Sequence, residues 1–240
     1  MRRVKLGGLD AIVTGGTDRE GGGDGPAVIL LHGFGAPGDD LVSLHRVMRV
    51  PEGTRFVFPA APIGFDTGYG EGRAWWMIDM SRFERAMVGG APPDFSHEVP
   101  EGLPAARELV KGMLEAAVRD LKLDLSRTVL GGFSQGAMLS MDVALRTDIP
   151  FAGLLLLSGT LIARDEWLPR MPGRNTIPVF QSHGTHDPIL AFSVAERLHT
   201  ELDAAGFRTE WVTFRGQHEI PAPALDGATA FVNRVLAPVG

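Results

Sequence analysis

Nine serines occur in the chain, but only Ser134 stands in Gly-x-Ser-x-Gly, as Gly132-Phe133-Ser134-Gln135-Gly136. An apolar run at 128–130 precedes it and a helical pattern follows, so the serine is expected on a sharp strand-to-helix turn. Gly132 and Gly136 leave room there for neighbouring backbone to pass. A neutral hydroxyl is a poor nucleophile until a base takes its proton and a third group orients that base. The chemistry to look for is therefore acyl transfer at a carbonyl. With no cysteine present, thiolate nucleophiles, disulfides and Cys-based zinc sites are excluded together.

Where a serine elbow of this kind serves a parallel sheet, the acid and then the histidine follow it along the chain. His218, in Gly216-Gln217-His218-Glu219, is the only histidine beyond the last expected strand and is the expected base. Asp187, in Ser182-His183-Gly184-Thr185-His186-Asp187-Pro188, sits just past a strand end and is the expected acid. Asp165 is its main competitor, and Asp203 is expected on a solvated helix face. His183, His186 and Asp187 do not fall on one helix face and find no fourth ligand nearby, so no metal is expected. His183 reads instead as a structural residue that holds the acid turn.

Developing negative charge on the carbonyl oxygen needs donors fixed in advance. The turn after an early buried strand, His32-Gly33-Phe34-Gly35, is expected to supply the backbone N–H of Phe34, and the start of the helix that of Gln135. Trp75 and Met77 are the expected substrate contacts. Trp76 is expected in the core, because consecutive residues of an extended segment face opposite ways.

The elements that must position these residues are legible as short runs at 28–31, 55–58, 128–130, 152–157, 177–180 and 210–214. Most are continuous rather than alternating, as strands covered on both faces should be. Leu103, Ala106, Leu109, Val110, Met113, Leu114, Ala117 and Leu121 form a helical stripe. A second helix over 134–145 is apolar nearly all round and is expected in the middle of the molecule. A third covers 192–202, with Gly206 as its C-cap. Strand and helix alternating in this way predict a mostly parallel central sheet with helices on both faces, in one domain spanning 1–240. Residues 5–14 suggest an antiparallel edge strand, and 15–25 a glycine-rich surface turn rather than a phosphate cradle.

The 240 residues carry a net charge of -6, and no stretch gathers five or six basic residues. Nucleic acid is excluded as a partner on that basis. No apolar run approaches membrane-spanning length and no signal-peptide pattern opens the chain, so integral membrane association is not expected and the expected compartment is the cytoplasm.

Several ordered segments together resemble the phospholipase/carboxylesterase family of α/β-hydrolases, which includes bacterial carboxylesterases and acyl-protein thioesterases. They are Leu31-His32-Gly33-Phe34-Gly35, Phe58-Pro59-Ala60-Ala61-Pro62, Gly72 to Asp79 with Trp75-Trp76, Leu130 to Gly136, Leu157-Ser158-Gly159, and the Asp187 and His218 segments. The resemblance spans about 28 to 220. It implies the α/β-hydrolase fold, a small-molecule ester or thioester substrate and no cofactor. Ala137 stands where that family often has a further glycine. The stretch at about 80–101, carrying Met80, Phe83 and Met87, is longer than usual and suits a lid or insertion. It suits equally a contact with another subunit in a homodimer. The rival readings are a non-catalytic binding protein on a hydrolase scaffold, or a peptidase or lactone hydrolase using the same triad.

Overall fold

A strand that is apolar at every position needs cover on both faces, and the central sheet provides it. The computed structural model describes residues 1–68, 70–79, 81–82, 88 and 92–237. Its strands are β1 (Arg2–Leu6), β2 (Leu9–Gly16), β3 (Glu20–Gly22), β4 (Ala27–Leu31), β5 (Arg55–Pro59), β6 (Ile63–Asp66), β7 (Glu71–Ala74), β8 (Thr128–Phe133), β9 (Gly153–Leu157), β10 (Val179–Gly184) and β11 (Thr209–Phe214). The four long helices are α1 (Leu103–Leu121), α2 (Gln135–Leu145), α3 (Phe192–Ala204) and α4 (Ala222–Val235).

The sheet order is β1-β2-β5-β4-β8-β9-β10-β11, with β3 beside β2. From β5 to β11 every pairing is parallel. Only β1 against β2 and β2 against β5 run antiparallel. The N-terminal stretch is thus two edge strands rather than one, joined by a tight turn. The architecture is the α/β-hydrolase fold.

Alternate residues of each strand feed two separate cores. Ile29, Leu31, Leu130 and Leu156 pack with Val110 and Met113 of α1, Val143 of α2 and Leu198 of α3. Val28, Leu30, Val129 and Leu155 pack on the other face with Ala228, Phe231 and Val232 of α4. All eleven residues of α2 are buried, as its all-round apolar sequence requires. α3 stops at Gly206, whose φ of +86° is open to glycine without strain.

Several elements were not foreseen, among them β3, which pairs with β2 inside the 15–25 stretch expected as a surface turn. The β6–β7 hairpin is short and polar, and α4 hides its stripe (Ala224, Ala228, Phe231, Val232) among small residues. Within the 80–101 insertion, Met80, Phe83 and Met87 lie outside the described residues. The C-terminal part is fixed by backbone bonds, from Ala163 to the Glu98 carbonyl and from Arg164 to that of Ser96, both at 2.8 Å. Among the described residues no helix is long and apolar enough to cross a membrane.

Chain order reverses between β4 and β8. From β4 the chain steps out to β5 and the N-terminal edge, then returns to build β8 through β11 on the other side. In parallel α/β sheets the crevice beyond the carboxyl ends of the strands at such a switch point is where ligands bind. The turn 32–35 leaves β4 there, and Ser134 leaves β8.

Candidate active site

Ser134 has φ 55° and ψ -118°, a conformation that costs an L-residue on the order of 1–3 kcal/mol and persists only where neighbours impose it. The neighbours here are backbone. The Ser134 N–H donates to the Leu157 carbonyl at 2.9 Å, and its own carbonyl accepts from Ala137 and Met138. A Cβ on Gly132 would stand 2.3 Å from the Leu31 carbonyl oxygen, and one on Gly136 only 2.0 Å from it. Both flanking positions therefore admit glycine alone. The Ala137 departure is absorbed across the turn, since its methyl lies 2.8 Å from where a Cβ on Gly159 would be. Ser134 itself is 9% exposed.

Asp187 and His218 meet. The His218 Nδ1 is 2.6 Å from Asp187 Oδ2, while Oδ1 accepts the N–H groups of Ile189 and Leu190 at 2.8 and 2.9 Å. His183 Nε2 lies 3.2 Å from the same Oδ2. Burial pushes the Asp187 carboxyl upward. Hydrogen bonds from His183 and His218, the charge of His218 and the Leu190 N–H outweigh it, and hold the group well below the usual carboxylate range. An ionised carboxylate only accepts, so the His218 proton sits on Nδ1 and the lone pair is on Nε2. The Phe133 ring packs on the His218 ring, centroids 4.7 Å apart, and ties the base to the residue beside Ser134.

The base loop and the acid loop are also tied to each other. His186 N–H donates to the Gly216 carbonyl at 3.0 Å, and the Ser158 hydroxyl to the Glu219 carbonyl at 3.2 Å. Asp165, the competing acid, lies instead 3.6 Å from His97 on the surface. Asp203 pairs with His199. The His186 ring turns to the Thr185 hydroxyl, away from His183.

The turn 32–35 is held by His32. Its Nε2 accepts the Ala61 N–H at 2.9 Å, its Nδ1–H donates to the Gly33 carbonyl, and burial keeps the ring below the usual histidine range. Gly35 N–H is bonded to Arg73 on β7. Among the described residues neither the Phe34 N–H nor the Gln135 N–H donates to a protein acceptor, so both are available to a ligand. The Gln135 N–H also opens α2, where the helix end favours negative charge.

Sequence reasoning missed what the Gln135 side chain does. Its Oε1 accepts from Trp75 N–H at 2.9 Å and its Nε2 donates to the Trp76 carbonyl at 2.8 Å, clamping the tryptophan segment as a neighbouring strand would. That segment differs from expectation in one respect. Trp75, expected against substrate, is 1% exposed, and its indole N–H is spent on the His32 carbonyl at 3.0 Å. Trp76 is in the core as expected, 4% exposed, and it also lines a groove with apolar Met77, Met138 and Leu190 and charged Asp79, Arg82, Glu98 and Glu101. This groove holds about 290 Å³ and begins at Met138, one helical turn past Ser134, and Leu190, beside Asp187. A larger hollow of about 590 Å³ between β1, β2 and residues 37–39 contains none of these groups.

Comparison with known proteins places this arrangement. A Phospholipase/Carboxylesterase family profile matches residues 20–236. Acyl-protein thioesterase 1 of Eremothecium gossypii is 32% identical over 214 residues, 86% of each chain. That of Debaryomyces hansenii is 25% identical over 220 residues, covering 88% of this chain and 91% of its own. Among solved structures, esterase PE8 superposes with a TM-score of 0.76 at 26% identity, covering 97% of this chain and all of its own. The Bacillus cereus carboxylesterase shares the fold at a TM-score of 0.69 and 17% identity, over 95% and 94%. The chain belongs to the Phospholipase/Carboxylesterase family and is a hydrolase acting on esters.

Proposed function

We propose that the chain hydrolyses carboxylic esters, and acyl thioesters, through an acyl-enzyme on Ser134. The single observation that carries this reading is the 2.6 Å contact of His218 Nδ1 with a buried, ionised Asp187, in a ring packed on Phe133, the residue before the strained Ser134. In the first step Ser134 Oγ attacks the carbonyl carbon while His218 Nε2 takes its proton, and Asp187 stabilises the resulting imidazolium. The N–H groups of Phe34 and Gln135 receive the oxyanion. Collapse of the tetrahedral intermediate expels the alcohol or thiol, which takes the proton from His218. Water then repeats the sequence on the acyl-enzyme.

Trp76 and Met77 offer apolar surface to the acyl or alcohol part, in a groove that Asp79, Arg82, Glu98 and Glu101 also line. The thioester half of the reading draws on the relatives named acyl-protein thioesterase. No cofactor takes part in any step.

The test is Ser134→Ala, assayed on p-nitrophenyl acetate, p-nitrophenyl butyrate and a palmitoyl thioester. Turnover is expected to fall by on the order of 10⁴-fold or more, with loss of fluorophosphonate labelling. A folded Ser134→Ala protein that keeps most of its activity overturns the assignment, and a wild-type protein that takes no label favours a non-catalytic binding role.

A further inference from the structure

The triad reading leaves unexplained a second histidine on the same carboxylate oxygen. His183, at the end of β10, is fully buried. Its Nε2 lies between two acceptors, the Leu190 carbonyl at 2.9 Å and Asp187 Oδ2 at 3.2 Å. Nitrogen can satisfy both only as a shared donor, so the proton belongs on Nε2. Its Nδ1 is buried and has no hydrogen-bond partner among the described residues. A second proton there would be a buried donor with no acceptor. The ring is thereby committed to one tautomer.

Both histidines converge on Oδ2, while both backbone donors converge on Oδ1. Three hydrogen-bond donors thus fix the carboxylate plane, and the His183 Nε2–H, bonded to the Leu190 carbonyl, stands 3.2 Å from Oδ2 as a fourth polar contact. The Leu190 carbonyl closes the acid turn onto the same ring, so one side chain fixes the turn and the acid together. We propose that His183 is a positioning residue which, through its Nε2–H contact with Asp187 Oδ2, sets the pH below which the Asp187–His218 dyad stops working. The inference rests on the triad reading above.

The titratable groups around His183 are few. Asp187 and His186 stand on the acid loop, and His218 and Glu219 on the base loop. On the α3 and β11 side the nearest are His199 and Asp203, beyond the stacked rings of Phe192 and Trp211. Among the described residues only Asp187 touches His183 directly through a charged atom.

The experiment compares His183→Leu with His183→Gln, whose amide can still offer an N–H toward Oδ2. For His183→Leu, kcat is expected to fall on the order of tenfold to a hundredfold, the loss of one polar contact with a charged group, with KM nearly unchanged. The acid limb of kcat/KM is expected at higher pH, because a carboxylate with one polar partner fewer turns more of its charge on His218 and favours the inactive imidazolium. His183→Gln is expected to recover most of kcat and the wild-type limb. Equal losses in both variants with an unmoved limb would reduce His183 to packing and overturn the proposal, as would a wild-type profile in His183→Leu. If His183→Leu does not fold, the tautomer decides. ¹⁵N-histidine correlations of the wild-type protein at pH 7.5 should show His183 protonated at Nε2, and protonation at Nδ1 overturns it. Ser134→Ala separates the two readings: if it is inactive while His183→Leu behaves as wild type, only the role of His183 fails.

Discussion

Replacing Asp187 by asparagine changes one atom of the dyad, and the contacts of that atom decide the outcome. The amide can be placed in two ways. With its oxygen at the Oδ1 position, the N–H groups of Ile189 and Leu190 keep their acceptor, and the NH₂ faces His218 Nδ1 and His183 Nε2. With the amide flipped, two buried backbone donors face an NH₂ instead, at about 1–3 kcal/mol each. The first placement loses less, because His183 retains the Leu190 carbonyl and only one donor–donor contact arises. An NH₂ opposite Nδ1, however, requires the lone pair of His218 there and the proton on Nε2. The ring then cannot take the proton of Ser134. We therefore expect kcat to fall on the order of 10⁴-fold, the scale seen when a triad histidine is held in the wrong tautomer, and stability to fall by about 1–3 kcal/mol. Saturation kinetics on p-nitrophenyl butyrate and urea unfolding measure the two effects separately. A folded Asp187→Asn protein within tenfold of wild-type kcat would show that Asp187 does not orient the base.

Gly136→Ala should disable catalysis from outside the triad. The new methyl meets the Leu31 and His32 carbonyl oxygens at 2.0 and 2.7 Å, so the backbone bearing the Phe34 turn must move away from Gln135, with kcat down on the order of 10²–10³-fold and stability down by about 1–3 kcal/mol. Gly112→Ala, in mid-α1 with only a 3.9 Å contact, should instead stabilise by about 0.5–1 kcal/mol at unchanged activity, read as a raised Tm. Trp75→Phe leaves the His32 carbonyl without its donor and is expected to cost about 1–3 kcal/mol in urea unfolding. Because the folded-state Asp187 carboxyl is held below its unfolded value, its stabilisation is complete above the unfolded carboxylate value of about 3.9 and is lost as pH falls below it. Acid unfolding of wild type should therefore be steeper below about pH 5 than that of Asp187→Asn.

The fold was readable where burial leaves no ambiguity. β4 is apolar throughout, and Val129-Leu130 of β8 and Leu154 to Leu157 of β9 feed the same two cores; a run without alternation can only be a covered strand or a buried helix. α4 was missed because proline and glycine break up its stripe. Ala224 and Ala228 are as deeply buried as Phe231, but Pro221, Pro223 and Gly227 punctuate the segment and hide the periodicity that alanines at 106 and 117 supported in α1. The β6–β7 hairpin failed for another reason, since half-exposed four-residue strands offer little to bury.

At the site, the residues legible in sequence are those whose chemistry needs a particular element. Ser134 requires glycine on either side, and Asp187 and His218 require strand ends on one edge of the sheet. What stayed hidden are roles that depend on which atom points where. Gln135 was noticed for its backbone N–H, whereas its side chain bonds both tryptophans' backbone. Nothing in spacing reveals that, because an amide can cap a helix, face water or mimic a strand with equal ease. Both tryptophans are buried, at 1% and 4% exposure. Once Gln135 grips the segment from the Ser134 side, the Trp75 ring is directed under the turn to the His32 carbonyl, and Trp76 is left to line the groove. On the proposed mechanism, the residue after the nucleophile therefore also holds the tryptophan segment, and the wall of the groove is coupled to the turn that would carry the chemistry.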